Sequence, residues 1–183
     1  MIRRPPRSTP LYSSAASDVY KRQDLIRSFW GNPIGILAKT TKHPEMMNMA
    51  SSRSNIIMDY GDIKRANITT NHGHKYGLKH QESYLKFEGT KGAIKICFGL
   101  LMDYPKGTID NFEYQILDNQ QETEWISKEI SGTWFPDALI GSILNLMEPK
   151  EQMDCTVADA YETMACVEAA YQSNQSRLIP VNS

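Results

Sequence analysis

Ser83-Tyr84-Leu85-Lys86-Phe87-Glu88-Gly89-Thr90-Lys91-Gly92-Ala93-Ile94-Lys95-Ile96-Cys97-Phe98 is the stretch on which the fold turns. Polar and apolar residues alternate on both sides of Gly89-Thr90-Lys91-Gly92, the pattern of half-buried strands. The two glycines can take the positive φ that a tight turn requires. The stretch reads as two strands, Ser83 to Glu88 and Ala93 to Phe98, folded back into an antiparallel hairpin. Period-two segments recur on either side of it. Ile34 to Thr41, Asn55 to Tyr60 and Ile63 to Thr70 precede the hairpin, the last two joined at Gly61-Asp62. Phe112 to Leu117 and Glu124 to Ile130 follow it. With no helix between them, these strands make an antiparallel sheet and not a βαβ array.

Helical signals lie at the two ends. Leu25, Ile26, Phe29 and Trp30 share one helix face, and Gly31-Asn32-Pro33 stops the helix with a glycine cap and a proline that blocks continuation. Pro136 suits a first helical turn, and Leu139, Ile140, Ile143, Leu144 and Met147 form one stripe before Pro149. A further helix opens at Thr156 with Asp159 three residues on, an acidic capping box. Its apolar face reads as Ala160, Tyr161, Met164, Val167, Glu168 and Tyr171, fading at Ser173-Asn174. The expected fold is α+β: an open, mostly antiparallel sheet with helices packed on one side.

Residues 1–23 stand apart. Proline and serine are dense from Met1 to Gln23, no apolar period runs through them, and no hydrophobic segment of a secretory signal follows the basic start. The stretch resembles a translated sequencing adapter, a contaminant common in assembled environmental sequences. The expected organisation is thus a non-native leader over 1–23 and one domain over 24–183, with Asp24 entering mid-protein.

Composition narrows the function classes. The chain has 183 residues, 40% hydrophobic and 22% charged, which places it among ordinary globular proteins. A formal net charge of -1, with no basic stripe past the leader, argues against nucleic acid as a partner. No apolar run reaches the ~18 residues of a membrane span. Cys97, Cys155 and Cys166 are odd in number and lack CxxC spacing, which suits reduced thiols in the cytoplasm. The sequons at Asn67 and Asn174 carry little weight without a secretory signal.

Motifs for a bound nucleotide are missing: there is no GxGxxG and no GxxxxGK[ST]. The most suggestive polar cluster is Asn71-His72-Gly73-His74. On an extended strand His72 and His74 would share a face, about 7 Å apart. Two such imidazoles suit contact with a polyhydroxylated substrate, a metal, or simply a solvated strand end. A metal-binding barrel would want a glutamate four or five residues on, where Leu78 and Lys79 stand, so no metal ligand is assigned. Trp134-Phe135-Pro136-Asp137 opens a helix whose N-terminal donors can hold a ligand hydroxyl or carboxylate. The plainer roles are a core tryptophan and a favourable helix-end charge. His72, His74, Trp134 and Asp137 are therefore the candidate substrate-binding residues.

Four blocks in register resemble the C-terminal domain of the Gfo/Idh/MocA oxidoreductase family. They are Asp24 to Pro33, Phe87 to Ile94, Trp134 to Ser142, and Asp159 through Ala165 to Ser173, and the resemblance spans Asp24 to Val181. It implies a two-domain parent whose N-terminal Rossmann domain binds NAD or NADP and supplies a catalytic lysine. The domain present here would shape the pocket for a sugar or polyol substrate and form a homo-oligomer through its sheet. The reaction implied is hydride transfer between a substrate carbon and the nicotinamide. A second motif, with Asp and His, would end just before Asp24, its histidine falling where Lys21 stands. The Rossmann domain, the lysine and the histidine are all missing, so no catalytic and no cofactor-binding residue is assigned, and the fragment is expected to bind no cofactor.

Overall fold

Two antiparallel ladders and two long helices carry the architecture, in a computed structural model that describes residues 13–45, 52–74, 76–99, 108–117, 123–130, 140, 143–144, 147–148 and 156–174. The order is α1 (Ser13–Trp30), β1 (Gly35–Thr41), β2 (Arg53–Asp59), β3 (Arg65–Asn71), β4 (Tyr84–Gly89), β5 (Gly92–Cys97), β6 (Asn111–Ile116), β7 (Ile126–Lys128) and α2 (Val157–Asn174). The strands form one sheet ordered β1-β2-β3 and another ordered β4-β5-β6-β7. The expected single broad sheet is thus two antiparallel meanders. The chain divides accordingly into two units, Met1–Gly73 with Asp154–Ser183, and His74–Met153.

In the first unit the register explains the core. Ala38, Ile56 and Ile68 face one another across the three strands, and Ile36, Met58 and Ala66 form the next row. Because strand side chains alternate, these rows share one face, and that face is buried. Val19 and Ile26 of α1 and Val167 and Ala170 of α2 complete the cluster, so both helices cover the same side of the sheet. Each large apolar side chain buried there contributes roughly 1.5–3 kcal/mol. On the opposite face Leu37, Lys39, Asn55, Asn67 and Thr69 are exposed.

The helix ends follow the local chemistry. Gly31, at φ 73°, donates its N–H to the Arg27 carbonyl at 2.8 Å, ending α1 where the Gly-Asn-Pro signal places it. Thr156 caps α2, its Oγ1 accepting from the Asp159 N–H at 3.1 Å. Two expectations change. Residues 13–23, set aside with the leader in the sequence reading, are helical: α1 runs from Ser13 to Trp30, and Val19 and Gln23 find a packed surface. The buried face of α2 is Thr163, Cys166, Val167 and Ala170, with Tyr161 and Met164 outward. Small side chains let this helix approach closely, and the bulky ones on the neighbouring face do not.

In the second unit the GTKG hairpin forms as read, with Gly89 paired to Gly92. A Cβ on Gly92 would run into the Gln115 carbonyl of β6, so a side chain is excluded there. Leu85, Phe87, Ile94, Ile96, Phe112 and Tyr114 fall on one face, and Tyr84, Lys86, Lys95 and Glu113 on the other.

The two faces of the first sheet should answer substitution differently. Ile56→Ala, at a site 1% exposed, is expected to lower stability by about 2–5 kcal/mol. Leu37→Ala, at a site 60% exposed, should stay within about 0.5 kcal/mol. Urea unfolding midpoints check the pair, and equal losses would contradict the assignment of faces.

Candidate functional site

The structure separates the two histidines that the sequence pairs. Strand β3 ends at Asn71, whose Oδ1 accepts the Gly73 N–H at 3.0 Å and turns the chain. His72 and His74 therefore do not alternate along a strand, and they belong to different units. His72 donates its backbone N–H to the carbonyl of buried Ser52 at 2.9 Å. In the second unit the His74 ring lies 2.9 Å from the Gly77 carbonyl and meets Tyr76 edge to face. His43, which the sequence reading passed over, packs its ring directly on the Gly73 backbone. Its own N–H reaches Ser52 Oγ at 2.6 Å. Trp134 and Asp137 lie outside the described residues, as do Met46, Met47 and Met49.

A buried polar network joins the ends of the first unit. Arg27 is 7% exposed, and its Nη2 pairs with Asp159 Oδ1 at 3.0 Å. Its Nε donates to Asn32 Oδ1 at 2.7 Å, and its Nη1 to the Asp159 carbonyl and to Thr163 Oγ1. Thr163 donates in turn to Asp24 Oδ1 at 2.7 Å, and Asn32 Nδ2 to Glu162 Oε2 at 3.1 Å. Gln23, fully buried, donates to the Cys166 carbonyl at 3.2 Å while its Oε1 has no hydrogen-bond partner among the described residues. Lys21, at the position where the resemblance expects a histidine, is exposed.

The second unit holds a shallow groove of about 510 Å³ on the polar face of its sheet, lined by Glu82, Tyr84, Lys86, Lys95, Glu113 and Trp125. The Lys95 ammonium lies 5.3 Å from the Tyr84 ring centroid, and Lys86 pairs with Glu88 at 2.6 Å. Alternation within β4 and β5 was visible in the sequence; the register that brings Glu113 beside them was not.

Among the described residues, neither sheet has a βαβ crossover, and none of the glycines with positive φ (Gly31, Gly61, Gly77, Gly92) opens an α-helix. Among the described residues, no three His, Cys, Asp or Glu side chains converge as metal ligands. No helix is long and apolar enough to cross a membrane among them.

Comparison with known proteins places this geometry. No family model matches the sequence, and no curated protein does. Solved structures do match. All of the chain aligns with 54% of a Yersinia pestis protein assigned as an oxidoreductase, at 12% identity and a TM-score of 0.66. Some 85% aligns with 45% of an Agrobacterium radiobacter oxidoreductase crystallised with NAD+, L-tartaric acid and magnesium, at 18% identity and a TM-score of 0.60. The same shares align with the UDP-N-acetylglucosamine 3-dehydrogenase of Acidithiobacillus ferrooxidans, at 10% identity and a TM-score of 0.60. The chain thus has an α+β fold shared with part of these oxidoreductases and spans about half the length of each.

Burial sets one measurable property of the first unit. It pushes the Cys166 thiol up from its usual range, with Arg27 opposing and Glu162 adding. Burial likewise raises Tyr60, helped by Cys166 and opposed by Arg27. A raised folded value means that the unfolded chain gives up its proton first. The associated stability is present below about pH 8.5, where a free thiol begins to ionise, and is lost as pH rises. Cys166→Ala should therefore lose less stability than the parent between about pH 8 and pH 10. Urea midpoints at the two pH values check this; identical losses would contradict it.

Proposed function

We propose that residues 24–183 are the C-terminal, substrate-side domain of an NAD- or NADP-dependent oxidoreductase that transfers hydride to or from a sugar or polyol. The observation that carries this reading is the coverage: nearly the whole chain aligns with about half of each matched oxidoreductase. Two of those matches name fitting chemistry, one a UDP-sugar dehydrogenase and one a complex with NAD+ and a hydroxy acid. The cofactor and the catalytic groups would reside in a nucleotide-binding domain upstream, and this chain alone would be inactive. His72 and His74 stay in the proposal as single substrate-facing candidates and not as a converging pair. Trp134 and Asp137 stay as candidates at a helix start.

A further feature supports a surface covered by another body. Val157, Tyr161 and Met164 leave an apolar stripe exposed on α2 at helical spacing, as a surface built to be covered would. A homo-oligomer formed through the sheet, and a cytoplasmic location, belong to the same proposal.

The purified chain tests it. With NADH or NADPH and a panel of aldoses, ketoses and polyols, it should show no oxidation of the cofactor. Sedimentation should show self-association that grows with concentration. A stable monomer that consumes NADH at a measurable, saturable rate would overturn the reading.

A further inference from the structure

We propose that the last turn of α2 is a latch that closes the free edge of β1, and that two copies of the chain pair through that edge when the latch opens. Among the described residues β1 ends its sheet, with β2 on one side and no strand on the other. An edge strand presents outward N–H and C=O groups that template another strand. The usual protections are weak here. Gly35 to Thr41 carries one charge, Lys39, and no proline, and it pairs with β2 residue for residue without a bulge.

Cover comes instead from the helix end. Ala38 donates its N–H to Ser173 Oγ at 3.0 Å, and Thr40 donates to Asn174 Oδ1 at 2.8 Å. Alternate residues of an edge strand direct their N–H groups outward, so these are successive outward donors, about 7 Å apart. Two side-chain oxygens thus stand where the carbonyls of an incoming strand would. The contact is easily broken. Serine and asparagine are weak helix formers, no basic residue steadies the last turn, and Ser173 and Asn174 are only partly buried. The rest of α2 is held elsewhere, by Arg27 near its start and by Val167 and Ala170 in the core. Its last turn can therefore fray while the helix stays docked.

The opened edge matches itself. Antiparallel pairing with β1 of a second copy, about a two-fold axis at Ala38, sets Ala38 opposite Ala38 and Ile36 opposite Thr40. Both freed donors are used again, Ala38 N–H on the Ala38 carbonyl and Thr40 N–H on the Ile36 carbonyl of the second copy. The buried row of Ala38, Ile56 and Ile68 then runs on across the junction. Like charges stay apart, because Lys39 falls opposite Leu37, whereas an axis at Lys39 would set the two lysines against each other. The contact uses the strand edge and neither sheet face. It needs no nicotinamide and no further domain, so it does not depend on the oxidoreductase reading.

Amide hydrogen exchange by NMR in dilute solution, and sedimentation equilibrium, test the two parts on the 183-residue chain. In the unaltered chain the Ala38 and Thr40 amides should be protected. Ser173→Ala should speed exchange at Ala38, and Asn174→Ala at Thr40, each about tenfold or more. The Leu37 and Lys39 amides, which point into the sheet, should not change. The double variant Ser173→Ala, Asn174→Ala should self-associate with a Kd about tenfold or more below that of the unaltered chain. In that background Leu37→Glu, facing Lys39 of the second copy, should tighten the dimer about threefold, and Leu37→Lys should weaken it as much. Fast exchange at Ala38 and Thr40 in the unaltered chain, or rates that neither substitution moves, overturns the latch. Unchanged self-association in the double variant overturns the pairing, as does Leu37→Lys tightening the dimer as much as Leu37→Glu. Exchange in the unaltered chain needs no substitution, and Asn174→Ala alone carries the sedimentation test if the double variant misfolds.

Discussion

Arg27 is the interaction on which the first unit rests. A guanidinium taken out of water costs several kcal/mol unless its hydrogen bonds are made, and Arg27 makes them with residues from both ends of the chain. Asp159 lies 132 residues away, and the pair holds α2 against α1 over one face of the sheet. Asp24 is held too, through Thr163. The hydrophobic rows of β1, β2 and β3 supply most of the burial energy, but they do not choose which helix partners cover them. The network makes that choice, because a slipped α2 would leave a buried charge unmatched.

Function follows from how the remaining surfaces are left. One side of the first sheet is covered by two helices, and its other side is exposed. The second sheet keeps apolar residues on one face and a charged, aromatic groove on the other. Among the described residues, neither unit has a βαβ crossover or a glycine-rich helix start.

Local signals were legible from residues alone. The GTKG turn, the Gly31-Asn32-Pro33 stop and the Thr156 cap each rest on backbone chemistry confined to a few neighbours, and each forms as read. Long-range features were not legible. The α2 face was misread because Thr163, Cys166 and Ala170 carry a weak apolar signal although they pack most closely. His72 and His74 lie off the strand expected for them, because the Asn71 side chain ends it with a turn that alternation cannot reveal. The groove needs a register linking Lys86 to Glu113, and the Arg27 network needs the whole chain folded. The helical character of residues 13–23 was not legible, because it draws on contacts with α2 and not on its own periodicity.

The central claim is that a nucleotide-binding domain belongs upstream of Asp24. The most direct measurement is the DNA sequence preceding the Asp24 codon, read from the source genome or an independent clone. The account predicts an open reading frame continuous with Asp24 that encodes a Rossmann domain with a glycine-rich loop and ends in a motif containing Asp and His. A stop codon followed by a start site at Asp24 would contradict it, and the chain would then be a small binding protein in its own right.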